Sequence, residues 1–281
     1  MASRRTLFAL AAALAALLVF AGPAAADLLT PESGGSPNAD KIDTLYKITM
    51  VISIPIFLIV EGTLIYSLIK YKARRGGQAE QIRGNTPLEV GWTIGAAVIL
   101  VVLTGVTFAF LNGITKPEES GPEIAGGVKV ASLGQPEPPG GGGMKVGVNG
   151  QQYLWRYDYG GKEALFSYHE MVVPTDTTVT LGITSSDVAH SWWIPKLGGK
   201  ADAVPGHNNE TWFKISKPGL YEGQCAELCG AGHADMRAVV RAVPPDEFER
   251  WAKTQRAEIK AAQDGLAAQR RAREAQAGGG G

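Results

Sequence analysis

Two long apolar runs, Ile48 to Ile69 and about Val90 to Leu111, constrain this chain more than anything else in it. Crossing the hydrocarbon core of a bilayer takes about 20 predominantly apolar helical residues, and each run has that length. Between them Lys70, Lys72, Arg74, Arg75 and Arg83 crowd a short connection in which only Glu80 opposes them. Basic loops stay on the cytoplasmic side of a membrane, so the loop near 70–88 is expected to be cytoplasmic, with both helices running outward from it. A transmembrane helical hairpin over 46–112 follows, with Trp92 near the inner interface. Pro55 is placed to kink the first helix. Glu61 is that helix's one formal charge, and an ionisable group at such depth faces protein, water or a proton partner; a neighbouring subunit and a proton path both satisfy it.

Ahead of the hairpin, residues 1–26 have the form of a signal peptide. Arg4 and Arg5 make a positive start, Leu7 to Phe20 an apolar centre, and Ala24-Ala25-Ala26 a small-residue cleavage site before Asp27. A third span is the alternative, opposed by the shortness of the run and the Gly22-Pro23 break. Ser3-Arg4-Arg5 faintly resembles a twin-arginine signal without choosing the export route. Residues 27–45 are then an extracytoplasmic segment.

Beyond the hairpin the composition changes. Residues 113–143 are rich in Pro and Gly, including Pro136-Glu137-Pro138-Pro139, and are expected to be a linker with an exposed loop. Val146 and Val148, then Tyr153, Trp155, Tyr157 and Tyr159, alternate with other residues as in half-buried strands. Val172 to Ile183 and Arg237 to Val243 are further strand-like runs, and Pro174, Pro195, Pro205 and Pro218 supply turns. Many short strands with turn signals make 144–245 a β-sandwich or barrel. Residues 246–281, with seven basic and six acidic residues, read as a mixed-charge helix, its first turns packed through Phe248 and Trp251, that frays into a flexible Gly tail. The formal net charge of zero argues against a nucleic-acid partner, which needs a basic face.

The chemistry concentrates between His190 and Met236. Both cysteines of the chain, Cys225 and Cys229, lie there, with Glu227, His233 and Met236 interleaved or close behind. Soft sulfur ligands beside imidazole select copper, and a weak Met beside Cys and His is the ligand set of copper electron-transfer centres. Two thiols exceed what one copper needs, so the set has the composition to hold a pair of copper ions. A Cys225–Cys229 disulfide on an exported protein, with incidental histidines, is the plainer alternative. His169 and His207 fall outside the cluster and read as surface or structural residues.

The pattern C-x-E-x-C-x-x-x-H-x-x-M from Cys225 to Met236, with His190 set 35 positions before it, resembles the CuA site of the cytochrome c oxidase subunit II family. The likeness runs through Ser186 to Trp192, Asp202 to Gly206 and Pro218 to Tyr221. It implies a membrane-anchored all-β architecture: a two-helix transmembrane hairpin followed by a cupredoxin-type Greek-key sandwich. It implies that Cys225 and Cys229 bridge two copper ions, that His190, His233 and Met236 complete the set, and that Glu227 contributes its backbone carbonyl. The Glu227 carboxylate is then free to bind a magnesium ion shared with subunit I, as suits a hard cation.

The same resemblance extends to two other stretches. In Pro87-Leu88-Glu89-Val90-Gly91-Trp92, Glu89 takes the place of a glutamate at the mouth of a proton channel into subunit I; on chemistry alone it is a solvated first-turn acid. In Gln152 to Tyr159, Tyr153 and Trp155 match the aromatic stretch that receives electrons from cytochrome c, though Tyr153 stands where the family usually has Trp. Core packing is the plainer account of such a stripe. Between Lys116 and Arg241 there are fourteen acidic and eleven basic residues, so Asp158 and Asp187 are candidates for steering a basic donor or are ordinary solubilising charge. No C-x-x-C-H occurs, so no haem is expected on this chain and a separate cytochrome c is the donor. The implied function is subunit II of a respiratory haem-copper oxidase of the bacterial plasma membrane, with the CuA domain on the outer side, passing electrons to haem in subunit I for oxygen reduction coupled to proton translocation. The CuA subunit of another terminal reductase and a copper-delivery protein are the alternatives.

Overall fold

The computed structural model describes residues 30–72, 81–118, 143–160 and 164–278. The expected signal peptide, the centre of the basic loop, most of the 113–143 linker and the last glycines lie outside the described residues.

Two helices come first, α1 (Pro37–Lys70) and α2 (Thr86–Thr115). Each is long and apolar enough to cross a membrane, and no part of either apolar window is buried. Helix α1 starts well before the apolar run because its beginning is built to start a helix. Pro37 sits where a missing N–H costs nothing, the Ser36 carbonyl accepts from the Asp40 N–H at 3.1 Å, and Asp40 places a carboxylate in the first turn. Helix α2 opens on a reciprocal cap: Asn85 Oδ1 accepts from the Leu88 N–H at 3.3 Å while Glu89 Oε1 accepts from the Asn85 N–H at 3.1 Å.

Ten strands follow: β1 (Met144–Gln151), β2 (Leu154–Asp158), β3 (Phe166–Tyr168), β4 (Glu170–Pro174), β5 (Thr178–Ser185), β6 (His190–Trp193), β7 (Ala201–Ala203), β8 (Asn209–Lys214), β9 (Gly219–Cys225) and β10 (Arg237–Val243). They form two five-stranded sheets, ordered β3-β2-β1-β5-β8 and β4-β10-β9-β6-β7. Strand β1 alternates buried and half-buried residues along its whole length, as side chains on a pleat must. The run Val172 to Ile183 is two strands, not one: Thr175 to Thr177 intervene, Asp176 adopts a left-handed φ of 58°, and the two halves join different sheets. Each half then pairs in parallel, β5 with β1 and β4 with β10.

Trp155, Tyr157 and Tyr159 are fully buried, so this part of the aromatic stripe is core. Burial raises the pKa of both phenols well above the ordinary 10, and the Tyr159 hydroxyl accepts from the Val172 N–H at 2.7 Å. Helix α3 (Pro245–Gly278) closes one side of the core with Phe248 and Ala252, and its Trp251 ring meets Tyr159 at 5.3 Å. It stays helical through its charged stretch as far as Gly278.

The segment before the first span is docked. Asn38 is 2% exposed and its Nδ2 donates to the Trp212 carbonyl at 2.7 Å, while Ser36 Oγ accepts from the Lys214 N–H at 3.1 Å. Trp212 Nε1 donates to the Ile114 carbonyl at 2.8 Å. Residues 32–42 and 113–118 thus belong to the same compact body as the sandwich, clasped by β8.

Candidate metal centre

Strands β6 and β9 are antiparallel neighbours with Trp192 opposite Cys225, which brings His190 and Cys225 to adjacent strand ends. After Cys225 the chain makes a loop with a single helical turn at His233–Asp235 and returns as β10. The loop is pinched at its base, where the Cys225 N–H donates to the Met236 carbonyl and the Ala226 N–H to the Ser191 carbonyl, both at 2.9 Å. Pairing of β9 with β10 fixes the span the loop must close.

The sequence-predicted donors converge. Cys225 Sγ lies 3.9 Å from His190 Nδ1 and 3.9 Å from Cys229 Sγ. Cys229 Sγ in turn lies 3.6 Å from His233 Nδ1 and 3.9 Å from Met236 Sδ. The Glu227 carbonyl accepts from Cys225 Sγ at 3.3 Å, while the Glu227 side chain is exposed. His190, Cys225, Cys229 and Met236 are all buried. Both cysteines are free thiols. Burial first, and then the neighbouring Cys225, push the Cys229 thiol up to about 11, so metal uptake must expel its proton. Two sulfurs, two imidazole nitrogens, a thioether and a carbonyl form a soft donor set with no carboxylate inside it, which fits copper.

His190 is aimed by groups the sequence reading assigned otherwise. Asp187, read there as a steering charge, has Oδ1 2.8 Å from His190 Nε2. A carboxylate only accepts, so Nε2 carries the proton and Nδ1 turns its lone pair toward Cys225. Desolvation works against the Asp187 charge, but His190 and the N–H groups of Gln152 and Val188 outweigh it and hold its pKa at about 2. Trp155 meets the His190 ring edge-on at 5.9 Å and is a wall of the site, not a surface residue. Tyr153 is half-buried, with Gly230 and Gly232 against its ring.

Two glycines escaped the sequence reading. A Cβ on Gly150 would lie 2.9 Å from His190 Cδ2 and 3.1 Å from Trp155 Cζ3. A Cβ on Gly223 would collide with the Trp193 carbonyl oxygen. Glycine inside a strand marks such close approach, and that was the available signal. Asp158 is exposed and pairs with Arg156 at 3.4 Å, and His169 and His207 are exposed outside the cluster. Glu89 sits in the first turn of α2, in the other compact unit of the chain.

Residues 25–110 match the family described as cytochrome C oxidase subunit II, transmembrane domain, and residues 160–243 its periplasmic domain. The chain is 33% identical over 243 residues to the cytochrome c oxidase subunit 2 of Synechocystis, covering 77% of this chain and 73% of that one. It is 31% identical over 249 residues to that of Cereibacter sphaeroides, covering 79% and 80%. Among solved structures, the periplasmic domain of subunit II of the cytochrome oxidase of Bradyrhizobium japonicum is 35% identical, covers 41% of this chain and 94% of that one, and superposes with a TM-score of 0.40.

Proposed function

Since the chain belongs to the cytochrome c oxidase subunit II family and is a two-span membrane protein, we propose that it receives electrons from cytochrome c and delivers them to haem in subunit I. His190, Cys225, Cys229, His233, Met236 and the Glu227 carbonyl would hold a copper pair. Bound there, the metal supplies reversible one-electron exchange. The observation that carries this reading is the unbroken chain of donors, His190 to Cys225 to Cys229 to His233, with steps of 3.9, 3.9 and 3.6 Å.

The protein's own residues prepare the rest. Burial of His190, both thiols and Met236 excludes water, and the sheet holding His190 limits its movement between charge states. Tyr153 lies beside the ligand loop and is the candidate point where electrons come in; Trp155, fully buried against His190, lies inward of it. Tyr153→Ala is expected to slow reduction by cytochrome c while leaving copper content unchanged, and unaltered donor kinetics would remove Tyr153 from the path. The exposed Glu227 carboxylate is available for a magnesium ion at the boundary with subunit I. The basic residues between the two spans support a cytoplasmic loop, and with it an outward-facing sandwich on the bacterial plasma membrane. On that topology Glu89, in the first turn of α2, would lie at the inner end and would admit protons for translocation by subunit I.

The deciding experiment is copper reconstitution of the full-length chain in detergent, with metal analysis and electron paramagnetic resonance. Two coppers per chain sharing one unpaired electron are expected. One copper with a localised electron overturns the pair; metal lost readily to a mild chelator turns the reading to copper delivery.

A further inference from the structure

The ligand loop has one arm with little to hold it. Its base is fixed by the bonds from Cys225 and Ala226, and its helical turn is internal, with the His233 N–H on the Gly230 carbonyl and the Asp235 N–H on the Gly232 carbonyl, both at 3.1 Å. Among the described residues, Leu228 to Gly232 receive one hydrogen bond from outside the loop: Gln152 Nε2 donates to the Cys229 carbonyl at 2.6 Å.

Gln152 also reaches the other half of the donor set. Its backbone N–H donates to Asp187 Oδ2 at 2.7 Å, and Asp187 Oδ1 accepts from His190 Nε2 at 2.8 Å. The path from imidazole to carboxylate to Gln152 to the Cys229 carbonyl therefore joins the strand-borne ligand to the loop-borne thiol without passing through either sulfur. Packing keeps the tip in place: a Cβ on Gly230 would lie 2.5 Å from Tyr153 Oη, and one on Gly232 2.5 Å from Tyr153 Cδ2.

We infer that Gln152 is a positioning residue of the metal centre, its side-chain amide holding the Cys229 backbone, and with it the thiol, at its distance from Cys225 and His190. The inference takes the ligand roles from the function proposed above. The physical reason is local: Cys229 is followed by Gly230 at a φ of 126°, a conformation glycine adopts without steric cost, so the backbone there is set by its contacts, and the amide supplies the polar one. Without the donor, the Cys229 carbonyl is left unsatisfied and the arm opens to let water reach it.

The test uses the full-length chain in detergent with copper removed, so that it does not depend on metal binding. Thiol alkylation by iodoacetamide is followed at each cysteine by mass spectrometry, alongside thermal melting of the sandwich. Gln152→Leu is expected to label Cys229 about tenfold faster, about 1.4 kcal/mol in the opening equilibrium, with a smaller change at Cys225 and an unchanged melting temperature. Gln152→Glu, which keeps the shape but turns an acceptor toward the carbonyl at neutral pH, should give the same selectivity and covers the case in which the leucine variant does not fold. Gln151→Leu is the control, because Gln151 Nε2 donates to Asn149 Oδ1 at 3.1 Å within its own strand. Equal labelling in wild type and Gln152→Glu overturns the inference, as does equal acceleration at both cysteines with a lowered melting temperature. If the wild-type chain takes up no copper while the selective labelling persists, the metal reading fails and the latch stands.

Discussion

His190 and the Cys229 arm are both part of one donor cluster, yet they are held by opposite means. His190 is on a strand paired on both sides, is fully buried, and has its ring fixed by Asp187, Trp155 and the space Gly150 leaves. Cys229 and His233 sit on a loop whose middle is tied, among the described residues, by one outside hydrogen bond. The contrast teaches how such a site combines a fixed reference with an adjustable partner. The sheet sets where the cluster is; the loop sets its fine spacing. Disturbance on the strand side should therefore be nearly all-or-none, and on the loop side graded.

The largest effect is expected where the two halves meet. Cys225 faces His190 and Cys229 alike, so Cys225→Ser should abolish the proposed copper pair, read as copper per chain in the purified protein; two retained coppers would break the comparison outright. Next is the fixed half. Gly150→Ala drives a methyl into His190 and Trp155 and should cost about 1–3 kcal/mol in chemical denaturation, along with copper occupancy. Equal loss from Gly232→Ala, whose methyl would meet the Tyr153 ring first, would show the loop to be as rigid as the strand.

Alkali tests the frame itself. Tyr157 and Tyr159 keep their protons in the folded state well above 10, whereas the unfolded chain releases them near 10, so the fold is stabilised below that pH and loses stability as pH rises beyond it. Each residue should remove about 1.4 kcal/mol per pH unit, so Tyr157→Phe should lower the slope of stability against pH above 10 by about that amount. A slope that Tyr157→Phe leaves unchanged would place the frame's alkaline weakness elsewhere. The smallest change belongs to the adjustable half: Met236→Leu removes the weakest donor and should shift the redox potential while both metals remain. Loss of one copper from that variant would make Met236 a holding ligand, not a tuning one.

Much of this was legible in the sequence, because the loop ligands from Cys225 to Met236 are close neighbours along the chain and the hairpin announces itself by apolar length. The roles of Asp187 and Gln152 were not. Gln152 lies 77 positions from the carbonyl it holds and 35 from the carboxylate it donates to, and no local period records such a pairing. Asp187 was visible as a charge but not as the partner of His190, since only the turn between β5 and β6 folds it back. Likewise the polar stretch around Ser36 and Asn38 reads as a loose segment until β8 is seen to bind it.

That grip has a practical corollary for anyone wishing to handle the sandwich in water. A fragment beginning beyond Thr115 sheds Ser36, Asn38 and the Ile114 carbonyl together, leaving the Trp212 indole N–H and main-chain carbonyl without their partners along a bare sheet margin. Such a fragment is expected to self-associate at that margin, and splicing residues 32–42 back onto its front end would restore the Asn38 and Ser36 bonds but not the indole's partner at Ile114.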